Sequence, residues 1–229
     1  TDAEATLSTG LTSFDSDGFT LGSGGSQNNS SNSFVAWCWK ANGGTTASNS
    51  DGSITSTVQA NTKAGFSIIT YTGTGANATI GHGLNEAPTF IMCKNRDDVD
   101  YFGIYHILTG ATKYGTLPSS SAPSANSTFW NNTTPTSSVI SLGSQNRVNG
   151  SSNNMVAYVW HDVEGYSKFG SFEGNANNDG PFVYTGFRPR MLFFRGMDTT
   201  SPWTVYDGVR GGGFNDPPNS PAQQFWESA

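Results

Sequence analysis

Apolar residues in this chain arrive in short clusters separated by Gly, Pro, Asn and Asp. FSIITYTG at 66–73, TFIMCKN at 89–95, DYFGIYHI at 100–107, SSVISLGS at 137–144 and NMVAYVWHD at 154–162 are the clearest. Each has the length and the β-branched or aromatic content of a strand and is bounded by turn-forming residues. No stretch carries a sustained 3.6-residue period, so helix is expected to be nearly absent. GATKY at 110–114 is the one place suited to a turn of helix. FVAWCWK at 34–40 reads as a further strand, apolar on both faces and therefore central in a core.

The pattern repeats. At a displacement of 121 positions, LGS at 21–23 meets LGS at 142–144, Ser30-Ser31-Asn32 meets Ser151-Ser152-Asn153, and FVAWCWK meets MVAYVWH. At a displacement of 101, Tyr71-Thr72-Gly73 meets Phe172-Glu173-Gly174 and Pro88 meets Pro189. FIMCK at 90–94 meets MLFFR at 191–195, Phe102 meets Trp203 and Tyr105 meets Tyr206. Agreement in order, spacing and residue type predicts an internal duplication.

The expected fold is all-β, with tandem antiparallel β-sandwich units of jelly-roll or Ig-like kind. One complete unit spans 64–168. Residues 1–41 correspond to the back part of a unit and 169–229 to the front part of another. A Gly/Ser/Thr linker at 42–63 joins the first to the complete unit. The two end pieces add up to roughly one more unit, closed within a molecule, between copies, or by sequence flanking a piece of a longer polypeptide.

Alternation places Met155, Ala157 and Val159 on one face of their strand and Val156, Tyr158 and Trp160 on the other. By the repeat, Cys38 stands where Val159 does and Cys93 where Phe194 does. Both are expected to be small buried hydrophobes with free thiols.

Composition narrows the function. Charged residues make up 12% of the 229 positions, about half the usual share. The net charge is −6 and Lys and Arg form no cluster, which argues against nucleic acid and anionic membranes as partners. No apolar run has the length of a membrane span, so no membrane insertion is expected, and TDAEATLSTG is no signal peptide.

LTSFDSDGFTLGS, FVAWCWKA, DGSITSTVQANTKAGFSIITYTGTGANATIGHGLNEAPTFIMCKNR, GYSKFGSFEGN and DGPFVYTGFRP carry a resemblance. They are similar to a repeated domain of structural proteins from marine tailed bacteriophages, tail fibres or uncharacterised virion proteins. The resemblance covers essentially the whole chain. It implies units in tandem and a place on a virion surface, among other virion proteins and copies of the chain itself. It implies no catalytic motif.

Chemistry-bearing residues are sparse. His82, His106 and His161 have no zinc spacing and read as surface or strand-end residues. Asp15-Ser16-Asp17-Gly18 lacks the later ligands of a calcium loop, and Asp97, Asp98 and Asp100 read as a solvated hairpin loop. GSGGS and RGGGF lack the Lys-Ser/Thr of a phosphate loop, and no acid pair or nucleophile elbow stands out. No catalytic residue, metal or cofactor is expected.

Aromatic residues carry the remaining expectations. Trp130 with Asn131 and Asn132, Trp203, and Tyr101 are candidates for stacking on and bonding to a host surface polysaccharide. A sugar's apolar C–H face suits an aromatic ring, and its rim suits Asn. For Trp203 the competing role is in the core, because it recurs in register with Phe102. Trp37, Trp39, Tyr158 and Trp160 form a candidate packing or interface face. The resulting expectation is a non-enzymatic tail fibre or surface appendage adhering to host glycans. The alternatives are a purely architectural capsid-decorating or filament-forming protein, joined head to tail, and last a polysaccharide depolymerase.

Overall fold

The computed structural model describes residues 2–24, 27–34, 36–42, 44–207 and 224–225. Strands β1 (Leu11–Phe14) and β2 (Phe19–Leu21) form a separate hairpin, and β3 (Ala47–Asn49), β4 (Ser56–Asn61) and β5 (Phe66–Thr72) begin the main sheet. Strand β6 (Ala78–Gly81) leaves that sheet. Strands β7 (Phe90–Asn95), β8 (Phe102–His106), β9 (Lys113–Leu117) and β10 (Ser124–Ala125) return to it. The single-turn helix α1 (Ser127–Trp130), β11 (Val139–Leu142) and the single-turn helix α2 (Asn146–Asn149) lead into β12 (Asn154–Trp160). Strands β13 (Met191–Phe194), β14 (Thr204–Asp207) and β15 (Gln224–Phe225) make a small third sheet.

The main sheet runs β10-β9-β8-β7-β12-β5-β4-β3, and β11 pairs with β6 in a two-stranded ribbon. Among the described residues strand far outweighs helix, the sheets are antiparallel and none closes into a barrel, so the fold is mostly antiparallel β.

Strand β12 lies between β5 and β7, antiparallel to both along most of its length. Its alternation decides how the layers stack. Met155, Ala157 and Val159 are fully buried, in a cluster with Ile69, Ile91 and Cys93 of the neighbouring strands. The β6–β11 ribbon and the two helices cover this inner face with Ile80, Ile140, Leu142, Phe129, Trp130 and Val148. Each such side chain contributes about 1.5–3 kcal/mol by leaving water. Gly143 is where the ribbon meets α1: its N–H donates to Phe129 O, and a Cβ there would sit 2.1 Å from Thr128 O.

The outer face carries a second cluster, where Phe90, Ile104 and Leu117 meet Trp203, with Phe169, Phe193 and Trp160 against them. The small sheet docks here. Trp203 Nε1 donates to Thr116 O at 3.1 Å, and the Arg195 guanidinium donates to the carbonyls of Ser119, Ser120 and Ser121.

Strands β7 and β8 pair Phe90 with His106, Ile91 with Tyr105, Met92 with Ile104 and Cys93 with Gly103. Strands β13 and β14 pair Met191 with Asp207, Leu192 with Tyr206, Phe193 with Val205 and Phe194 with Thr204. Every pair in the second set lies 101 positions after its counterpart in the first.

Several expectations need correcting. FVAWCWK is not a core strand: residues 34 and 36–40 adopt no strand, and Phe34, Cys38 and Trp39 are exposed. Val35 lies outside the described residues. The physical reason is that no strand flanks it among the described residues. Strand β12 is held by β5 and β7, but residues 167–173, the counterpart of β5, form no strand, and β13 belongs to the small sheet. Trp39 rests instead on Phe66 and Trp160, and Asn61 Nδ2 donates to Lys40 O.

Residues 42–63, read as a linker, contain β3 and β4, which extend the main sheet. GATKY is a turn running into β9, without a helical turn. The two thiols are free, but only Cys93 is buried. Burial pushes its pKa up to about 12, leaving it inert at neutral pH. RGGGF at 210–214 lies outside the described residues.

Candidate functional site

Of the five candidate glycan contacts, Tyr101, Asn131 and Asn132 are exposed and the two tryptophans are buried. Trp130 ends α1, whose N-cap is Asn126, and Asn131 closes the helix in the left-handed region at φ 49°. The polar residues around Trp130 therefore serve the helix ends. The ring turns inward, is 1% exposed, and meets Tyr105 edge-on at 5.8 Å. This corrects the expectation that Trp130 stacks on a sugar, since its faces are covered by protein. Asn131 and Asn132 are exposed, and Asn131 Oδ1 accepts from Asn77 Nδ2.

Trp203 is likewise corrected. At 7% exposure it stacks on Phe193 at 4.5 Å, with the Arg195 guanidinium 5.2 Å from its ring centre. It holds the small sheet to the main sheet. Tyr101 alone of the three rings is exposed, and Arg147 lies over it at 5.6 Å.

The carboxylates after β7 are engaged by protein. Asp97 accepts from the backbone N–H and Nδ2 of Asn154, Asp98 from Asn146 Nδ2, and Asp100 pairs with Arg147. These bonds tie the β7–β8 loop to α2 and β12. The Asn154 backbone and side-chain bonds hold the Asp97 carboxyl below its usual pKa. Among the described residues no group of three His, Cys, Asp or Glu is placed to hold a metal ion, and no helix is long and apolar enough to cross a membrane.

His82 is fully buried, contrary to the surface reading. Its Nδ1 accepts from Leu84 N–H, so Nε2–H is the donor toward Thr136 O. Protonating Nδ1 would set one donor against another. Burial lowers the pKa of this ring, with the Thr136 bond opposing, and burial also lowers that of His106. The unfolded chain then binds protons that the folded chain refuses once pH falls below about 6.5. Stability is expected to be level above that pH and to decline below it. Urea midpoints at about pH 7.5 and pH 5.5 check this, and His82→Asn, which keeps an acceptor for Leu84, should flatten the difference.

Of the interface candidates, Trp39, Tyr158 and Trp160 come together. Trp39 meets Trp160 at 6.1 Å, and Trp160 also touches Phe66, Phe90 and Tyr158. Trp37 is half-buried. Beside Tyr158, an open groove of about 410 Å³ is lined by Asp2, Glu4, Lys94, Arg96 and Phe102, a mixed-charge surface.

The most unusual surface escaped the sequence reading. Apolar side chains crowd both terminal pieces: Leu7, Leu11, Phe14, Phe19 and Phe34 in the first, and Phe172, Phe182, Tyr184 and Leu192 in the last, all exposed. The repeat was the signal that could have found them. Positions 121 or 101 away hold Ile140 for Phe19, Met155 for Phe34, Tyr71 for Phe172 and Ile91 for Leu192, all buried. Met155 is 0% exposed against 54% for Phe34, and Ile91 0% against 42% for Leu192.

No curated protein and no solved structure matches this chain. A family model matches residues 1–220, and the chain belongs to that family, described as a domain of unknown function, DUF7483.

Proposed function

We propose that this chain is a non-enzymatic structural protein of a tailed-phage particle, a tail-fibre or surface-appendage component whose work is to assemble with copies of itself. The observation that carries the assembly reading is the set of exposed apolar side chains in residues 7–34 and 172–192, of which Phe19, Phe34, Phe172 and Leu192 have buried internal counterparts. Placement on the virion surface rests on the resemblance of the long motifs to phage structural proteins.

The same reading takes the fold as two related β-sandwich units made by duplication, one complete and one divided between the chain ends. The repeated register of β7–β8 in β13–β14 supports it.

Adhesion to host polysaccharide recedes. With Trp130 and Trp203 buried, Tyr101, Asn131 and Asn132 are what remains for it. The architectural alternative is thereby the stronger one. A chain lacking residues 1–41 should lose self-association in sedimentation velocity while keeping the near-ultraviolet dichroism of the main sheet's buried aromatics. Undiminished association of that shortened chain would rule out the divided unit as its cause.

A further inference from the structure

The groove beside Tyr158 lies outside the exposed apolar side chains that carry the assembly reading. Its floor is a row across the outer face of the main sheet. Thr70, Val156 and Lys94 stand directly opposite one another on β5, β12 and β7. Tyr158 follows two residues along β12, on the same face. Thr70 and Lys94 are two strand spacings apart, roughly 9–10 Å. Half-buried Phe102 of β8 adds an aromatic ring to the lining. Asp2 and Glu4 line the groove as well, held where Glu4 N–H donates to Arg96 O and the Glu4 carboxylate pairs with the Arg96 guanidinium.

Charge in this lining is balanced, with Lys94 and Arg96 set against Asp2 and Glu4. An anion entering the groove meets two carboxylates, and a cation meets an ammonium and a guanidinium, so neither sign is favoured. Hydrogen-bonding capacity, by contrast, is open. Among the described residues the Tyr158 hydroxyl, Thr70 Oγ1 and the Asp2 carboxylate have no hydrogen-bond partner. Lys94 Nζ donates to Asp98 O at 2.9 Å and keeps further N–H groups to give. The groove therefore offers an acceptor-only group, a donor-only group and two hydroxyls that serve as either, beside two aromatic rings and Val156. A molecule that matches all of these is uncharged, rich in hydroxyls, and apolar on one face.

We propose that this groove binds a neutral sugar unit of monosaccharide or disaccharide size. Its C–H face lies against Tyr158 and Phe102, and its hydroxyls bond to Thr70, Lys94, Asp2 and the Tyr158 hydroxyl. The volume of about 410 Å³ falls at the small end of ligand sites, which run from about 300 to 1,000 Å³. Aromatic rings with a polar tip suit such a ligand because one end is apolar and the other wet. Trp130, Trp203 and Tyr101, the rings that the sequence offered for sugar stacking, do not line this groove.

Thr70→Val and Tyr158→Phe each remove one hydroxyl and keep the shape of the side chain. Neither hydroxyl is bonded among the described residues, so both variants should keep the near-ultraviolet dichroism of the parent. The probes are glucose, galactose, mannose, maltose, cellobiose and lactose, each mixed with the full chain and read by saturation-transfer difference NMR. At least one should receive saturation. Its dissociation constant should rise roughly two- to twelvefold in each variant, the effect of one lost hydrogen bond. The uronic acid and the amino sugar matching that probe should both bind more weakly than it does.

No transfer to any of the six sugars would overturn the proposal. An unchanged dissociation constant in both variants would do the same, by placing the sugar elsewhere on the chain. Tighter binding of the matching uronic acid or amino sugar would overturn the neutral assignment. Light scattering on the parent chain reads the assembly account independently, and self-association without sugar transfer removes the groove while leaving that account standing.

Discussion

Trp130→Ala is expected to lower the stability of the folded chain by about 3–5 kcal/mol, read as a fall in the urea midpoint with an unchanged slope. The ring is fully buried in the inner core beside Tyr105 and Phe129, so truncation leaves a large cavity under the main sheet. A stacking residue on a glycan site would give the opposite pattern, lost binding at unchanged stability. Trp130→Phe sharpens the test. The indole N–H is buried with no acceptor among the described residues, so removing it relieves a desolvated donor while keeping most of the ring. It should cost clearly less than alanine.

Asn149→Leu is expected to cost about 2–4 kcal/mol, although it keeps the volume of the side chain. Asn149 is fully buried. Its Nδ2 donates to Ala76 O at 2.6 Å and Gly143 O at 2.9 Å, and its Oδ1 accepts from Thr74 N–H at 2.8 Å. Leucine satisfies none of these, and Gly143 O, itself buried, is left without its Asn149 donor. The residue joins α2 to the β5–β6 connection and to the end of β11. Its loss should therefore raise amide exchange at Thr74 and at Gly75, whose N–H donates to Asn149 O. An Asn149→Leu chain as stable as the parent would mean that these bonds contribute nothing net.

The strands legible in the sequence were those with enough apolar or β-branched side chains to declare themselves. Strands β5, β7, β8, β11 and β12 fall within the stretches read from FSIITYTG through NMVAYVWHD. Strands β3 and β4 were read as linker because ASN and STVQAN contain little that leaves water, with Val58 alone fully in the core. They are held largely by backbone pairing to a strand already in place, which composition does not reveal.

FVAWCWK failed in the opposite direction. Its pattern is that of a central strand, but a strand is a property of its neighbours, and among the described residues no strand flanks it. Trp130 was misread because Asn126 and Asn131 act as helix caps, and capping looks like a polar loop when only the sequence is visible. The exposed apolar ends were visible only by comparing each position with its repeat partner. Burial could be assigned to the partner once the fold was known.

The most direct test of the assembly account is static light scattering on the purified 229-residue chain over a concentration series. The account predicts a weight-average mass that rises with concentration without settling at a small integer multiple, as head-to-tail assembly requires. A mass equal to one chain at every concentration would contradict it.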